Sequence, residues 1–164
     1  MPLRVPFPKM GHTTTVSPRA FVQDALVATL VLAGLYGLAQ GVQFQPVQIP
    51  GYLLVVGFDV LEGLFGAAGA NYWLLFAAYV LGLGAVAAAL SAVVRTRTDD
   101  AHRSTWRTGA AGALAVLGTL SVLYGVVILV GTTQLAPVLI TGTVGVALLL
   151  LASWLADVWP TTDR

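Results

Sequence analysis

Residues 43–70, QFQPVQIPGYLLVVGFDVLEGLFGAAGA, decide the architecture, because they carry Asp59 and Glu62, the only charges between Asp24 and Arg95. From Tyr52 to Phe65 the pattern is helical and lopsided. Leu54, Phe58, Leu61 and Phe65 recur at spacings of three and four, and Asp59 and Glu62, three apart, share another face. If this helix crossed a bilayer, Asp59 would lie near its midpoint. An acid there costs about 2.5–3.5 kcal/mol on insertion scales, and each apolar neighbour returns only about 0.3–0.6. A helix at the interface, or re-entrant from it, keeps both acids in reach of water. The expectation is therefore that residues of about 52–65 form a short amphipathic helix that does not cross. Before it lies the linker 43–51, where Pro46 and Pro50 disfavour helix in the residues just before them, so span 1 must end near Val42.

Around this segment lie four nearly uncharged apolar stretches, at about 20–42, 72–94, 109–130 and 138–158, each long enough for a hydrocarbon core of about 30 Å. Ser17-Pro18 is a fitting helix start, with a capping hydroxyl and a proline at the first helical position. GAAGAN at 66–71 interrupts the helical pattern, and RTRTDDAHRSTWR at 95–107 is the one strongly polar loop. The chain of 164 residues is 57% apolar and 9% charged, against about 25% charged in soluble proteins. The fold class read from this is an all-α integral membrane protein: a four-transmembrane-helix bundle plus a short amphipathic interfacial or re-entrant helix between spans 1 and 2. Residues 1–17 form an irregular N-tail without a cleavable signal layout, 18–160 a single membrane domain, and 161–164 a C-tail.

Charge placement tests the span count independently. With four spans, Arg4, Lys9, Arg19, Arg95, Arg97, Arg103, Arg107 and Arg164, all the basic residues of the chain, fall on one side. The positive-inside rule makes that side cytoplasmic, with both termini there and the protein in the cell membrane. A fifth span would set the arginine-rich loop opposite the basic N-tail. Trp106, Trp154 and Trp159 then mark the inner boundary and Tyr52, Tyr72 and Trp73 the outer one, as amphipathic rings do at headgroup level.

Chemistry is sparse. With no cysteine, thiol catalysis, disulfides and Fe–S clusters are excluded. His12 and His102 lie in polar segments, so the spans offer no axial haem ligands and no histidine to activate Ser91, Ser121 or Ser153. A net charge of +1 gives no basic face for nucleic acid. No catalytic, cofactor-binding or metal residue is assigned and no enzyme is expected. Three acids are the candidates for ion interaction or transport. Asp59 and Glu62 sit at the outer mouth, with glutamine oxygens of Gln43, Gln45 or Gln48 nearby, or are simply the wet face of the helix. Asp24, inside span 1, requires a partner, for which Arg19, Arg95 and Arg107 are the choices. Small residues at spacings of four, among them Gly37, Gly41, Ala78, Gly82, Gly125 and Gly145, favour close helix packing. The expected function is an accessory, assembly or packing subunit of a membrane complex, its partners the lipid bilayer and other membrane subunits or a second copy of itself. The alternative is a small transporter or channel for a cation or small solute.

Overall fold

The computed structural model describes residues 17–97, 105–131, 133 and 135–157, and all regular structure among them is helical. The expected N-tail, most of the polar loop and the C-tail lie outside the described residues. Five helices, α1 (Pro18–Gly41), α2 (Gln45–Phe65), α3 (Tyr72–Arg97), α4 (Thr105–Gly131) and α5 (Leu135–Leu155), are each long and apolar enough to span a membrane. Ser17 occupies the position before α1 with extended backbone and Pro18 opens the helix, but the expected capping bond from the Ser17 hydroxyl is not made; its carbonyl accepts the Phe21 N–H at 3.2 Å.

One expectation is corrected. Helix α2 begins at Gln45, not near Tyr52, so most of the expected 43–51 linker is helical. The first four N–H groups of any helix lack an internal partner, so Pro46 at the second position costs no hydrogen bond. Pro50 removes only the bond to the carbonyl of residue 46. The Gln48 side chain also donates to the Val42 carbonyl, tying the new first turn to the end of α1. At the other end Gly66, at φ 99°, stops α2 in a conformation that a side chain would strain. A single 3₁₀ turn, Gly69–Asn71, then leads into α3.

The helix directions follow from pairs that meet. Tyr36 of α1 packs at a tilt against Phe76 of α3 with ring centroids 4.9 Å apart, and Asp24 of α1 meets Arg95 of α3 at 2.7 Å, so the two helices run antiparallel. Helix α4 runs parallel to α1 and antiparallel to α3: Gly109 faces Asp24 and Val27, and Gly112 faces Ala87 and Ser91. Helix α5 returns antiparallel to α4, with Gly118 against Gly145 and Gly125 against Thr141. It packs on α4 and makes no comparable contact with α1, α2 or α3.

Apolar burial gives little drive between helices when the surroundings are lipid tails, so close approach has to supply it. The glycines permit that. A Cβ on Gly112 would lie 2.5 Å from the Ala87 carbonyl oxygen, and one on Gly118 would lie 2.9 Å from the Gly145 carbonyl oxygen. The apolar core between α1, α2, α3 and α4 is built on Ala28, Leu32, Leu54, Phe58, Val80 and Leu117. The neighbours of α2 on α1 and α3 lie towards the Tyr72 end of this bundle. Gly51 touches Leu35 and Ala39, Phe58 packs edge-on against Tyr72 and Phe76 at 5.2 and 5.4 Å, and Gly57 abuts Tyr79.

Gly118→Val should therefore push α5 off α4 and destabilise the protein by about 1–3 kcal/mol, as overpacking does. Gly37→Val, where a Cβ meets nothing within 4 Å, should be close to neutral. Thermal unfolding in mild detergent separates the two; equal losses would contradict the packing described.

Candidate functional site

Among the described residues the most buried charged group is Asp24. It is 1% exposed, one and a half turns into α1, where an unpaired carboxylate would be costly. Arg95, two residues from the end of α3, reaches it: Nη2 donates to Asp24 Oδ1 at 2.7 Å and to Thr108 Oγ1 at 2.6 Å. Thr108 of α4 in turn donates to Asp24 Oδ1 at 3.1 Å. Ser91 shares its hydroxyl proton between the carbonyl of Ala87 at 2.9 Å and that of Thr108 at 2.8 Å. Three helices thus meet at one carboxylate. Of the three arginines that sequence offered as its partner, Arg95 is the one that pairs. Arg19 is exposed, and Arg107 lies 3.4 Å from Asp157, just beyond the end of α5. That second pair is open to solvent and contributes little.

Asp59 and Glu62 are at the other end of the bundle. Asp59 is exposed, while Glu62 is half-buried and accepts the Ala68 N–H at 2.7 Å, which fastens the turn after α2. Gln43 is exposed and Gln48 is spent on Val42; the side chain of Gln45 lies outside the described residues. Among the described residues no three His, Cys, Asp or Glu side chains come together. His12 and His102 fall outside them. The hydroxyls of Ser121 and Ser153 donate to the carbonyls of Thr141 at 2.6 Å and Leu150 at 2.8 Å.

The structure does not bring Asp24 together with Asp59 and Glu62. Between the two ends the core presents Ala28, Leu32, Val80, Val116 and Leu117, all buried. Of the small residues singled out by spacing, Gly125 and Gly145 lie in the α4–α5 contact. Gly37, Gly41 and Gly82 have open space beside them and Ala78 is exposed. The Asp24 end also holds two groups the sequence did not single out, Thr108 and the carbonyl-bridging role of Ser91. The signal for them was their spacing on helices facing Asp24, which only the helix directions reveal. The sequence reading also did not bring together the aromatic cluster at the Tyr72 end, where Phe58 is ringed by Tyr72, Phe76 and Tyr79.

The chain matches no family model, no curated protein and no solved structure.

Arg95→Ala should leave Asp24 buried without its counter-charge and cost about 3 kcal/mol, the order found when one partner of a buried pair is removed. The double change Asp24→Leu with Arg95→Met should recover most of the loss. Thermal unfolding of the single and double variants in detergent checks both; a double variant no better than the single would refute a pairing role.

Proposed function

We propose that the protein crosses the cell membrane four times, through α1, α3, α4 and α5, with α2 held in the outer half of the bilayer. Both termini and the loop at 95–107 are then cytoplasmic. The antiparallel course of α1 and α3 supports this, since it puts the two connections of α2 at the same end of the bundle. So does the depth of its neighbours on α1 and α3. Helix α2 is about 31 Å long, yet Leu35, Ala39, Tyr72, Phe76 and Tyr79 all lie within about 11 Å of the outer ends of their own helices. Its exposed flank suits a boundary: Phe65, 85% exposed, and Leu64 face lipid, and Asp59 reaches water.

In that frame the protein is a non-catalytic accessory, assembly or packing subunit of a larger membrane complex. The observation that carries this reading is the dry layer of Ala28, Leu32, Val80 and Leu117 between the acids, with the charge of Asp24 already met by Arg95. Transport pathways usually present polar groups near the midplane. Helix α5, attached through α4 and exposing Leu139, Ile140, Val146 and Leu150, leaves a broad apolar face for lipid or a neighbouring subunit.

Because the chain has no cysteine, single-cysteine labelling can test the topology directly. Phe44→Cys and Asn71→Cys, which flank α2, should both react with a membrane-impermeant maleimide in intact cells, and Thr98→Cys only after permeabilisation. Labelling of Phe44→Cys and Asn71→Cys from opposite sides would make α2 a fifth span. For the functional reading, co-purification in mild detergent should recover stoichiometric membrane partners. Asp59→Asn combined with Glu62→Gln should leave cation flux into reconstituted vesicles unchanged, whereas a flux that this pair of changes abolishes would favour the transporter.

A further inference from the structure

At the Asp24 end of the bundle, α3 and α5 both lie on α4 but make no comparable contact with each other, and a groove of about 190 Å³ runs between them. Ala111 and Ala115 of α4 form its floor, and Val94, Thr108 and Ala156 stand at its mouth. Val94 is three residues from the end of α3, Thr108 three from the start of α4, and Ala156 just past α5. The groove therefore opens within about 5 Å of three helix ends and reaches Ala115, about 15 Å into α4. That depth runs from headgroup level to the middle of a hydrocarbon core of about 30 Å. Its volume is below the range of about 300–1,000 Å³ for sites that enclose a small molecule, so it takes one part of a larger occupant, as a groove takes a chain.

Charge at the mouth says what the rest of that occupant is. Arg95, next to Val94, bonds Asp24 and Thr108 through Nη2 alone. Its Nε and Nη1 have no partner among the described residues, and the side chain is 21% exposed. Arg107, next to Thr108, meets Asp157 loosely at 3.4 Å, where solvent weakens the pair. On the four-crossing reading proposed above, all eight Lys and Arg side chains belong to this end with five of the seven acids, a net charge of +3 at the cytoplasmic face. Guanidinium groups with N–H donors to spare suit phosphate oxygens, and a basic mouth between helices on that face suits an anionic headgroup. We propose that the groove seats one acyl chain of an anionic phospholipid of the cytoplasmic leaflet, with its phosphate at Arg95 and Arg107. A soluble anion would leave the groove unfilled, and a neutral lipid would leave the spare donors unused; an anionic lipid meets both.

The test is lipid binding to the purified full chain in detergent micelles, read by native mass spectrometry and by the thermal unfolding midpoint. The probes are dioleoylphosphatidylglycerol and dioleoylphosphatidylcholine, which share their chains and differ in headgroup charge. The first should bind about tenfold more tightly and lose that preference as salt is raised. Arg107→Gln should weaken its binding about tenfold, the lower end expected for a lost hydrogen bond to a charged group. The lipid-free midpoint should stay in place in that variant, because the exposed pair with Asp157 contributes little. Ala115→Phe should weaken both lipids by filling the floor of the groove, whereas Gly37→Val, remote from it, should weaken neither. Equal affinity for the two lipids, undiminished binding of the anionic one in Arg107→Gln, or a midpoint rise as large with inorganic phosphate alone would each overturn the site. In micelles a lipid reaches either end of the bundle, so the outcome is independent of the membrane map that the cysteine labelling checks.

Discussion

The contact on which the arrangement depends is the Arg95 guanidinium on the Asp24 carboxylate, closed by the Thr108 hydroxyl. In an apolar interior neither charge is tolerable alone, and the pair fixes more than local geometry. It sets the register of α3 against α1 and the direction in which α3 runs. Thr108 then brings the first turns of α4 to the same point, and the Ser91 hydroxyl holds the Thr108 carbonyl from α3. Once α1 and α3 are antiparallel, the chain between them must leave and return at one end of the bundle. The position of α2 is in that sense a consequence of an ion pair at the opposite end.

The acids of α2 are what set it apart in the sequence, because the cost of Asp59 and Glu62 at mid-bilayer is large beside what each apolar neighbour returns. Its starting point was not legible. The rule that disfavours helix in the residue before a proline, applied to Pro46 and Pro50, set 43–51 aside as a linker. At a helix start the rule weakens, and the Gln48 side chain supplies a further tie. The partner of Asp24 was undecidable for a different reason. Arg19, Arg95 and Arg107 all lie towards one boundary, and only the helix directions bring one of them into reach. Small-residue spacing was the least informative signal. These helices are apolar on every side, so a glycine pair such as Gly37 and Gly41 satisfies the spacing whether it faces a neighbour or open space.

The bundle is tied unevenly, and that unevenness carries meaning in lipid, where burial of one alkyl group against another is nearly neutral. Helices α1, α3 and α4 share the carboxylate knot. Helices α4 and α5 share the Gly118–Gly145 approach and the Ser121 hydroxyl on the Thr141 carbonyl. Helix α2 has no comparable bond to another helix among the described residues. Gln48 and Glu62 hold the connections at its two ends, to Val42 and from Ala68, and ring packing around Phe58 does the rest. The element with the fewest polar ties to its neighbours is thus the one that packs on Tyr79. The two ends differ chemically: the Asp24 carboxylate is met by Arg95 and Thr108, whereas towards the Tyr72 end the buried Tyr79 hydroxyl has no partner among the described residues.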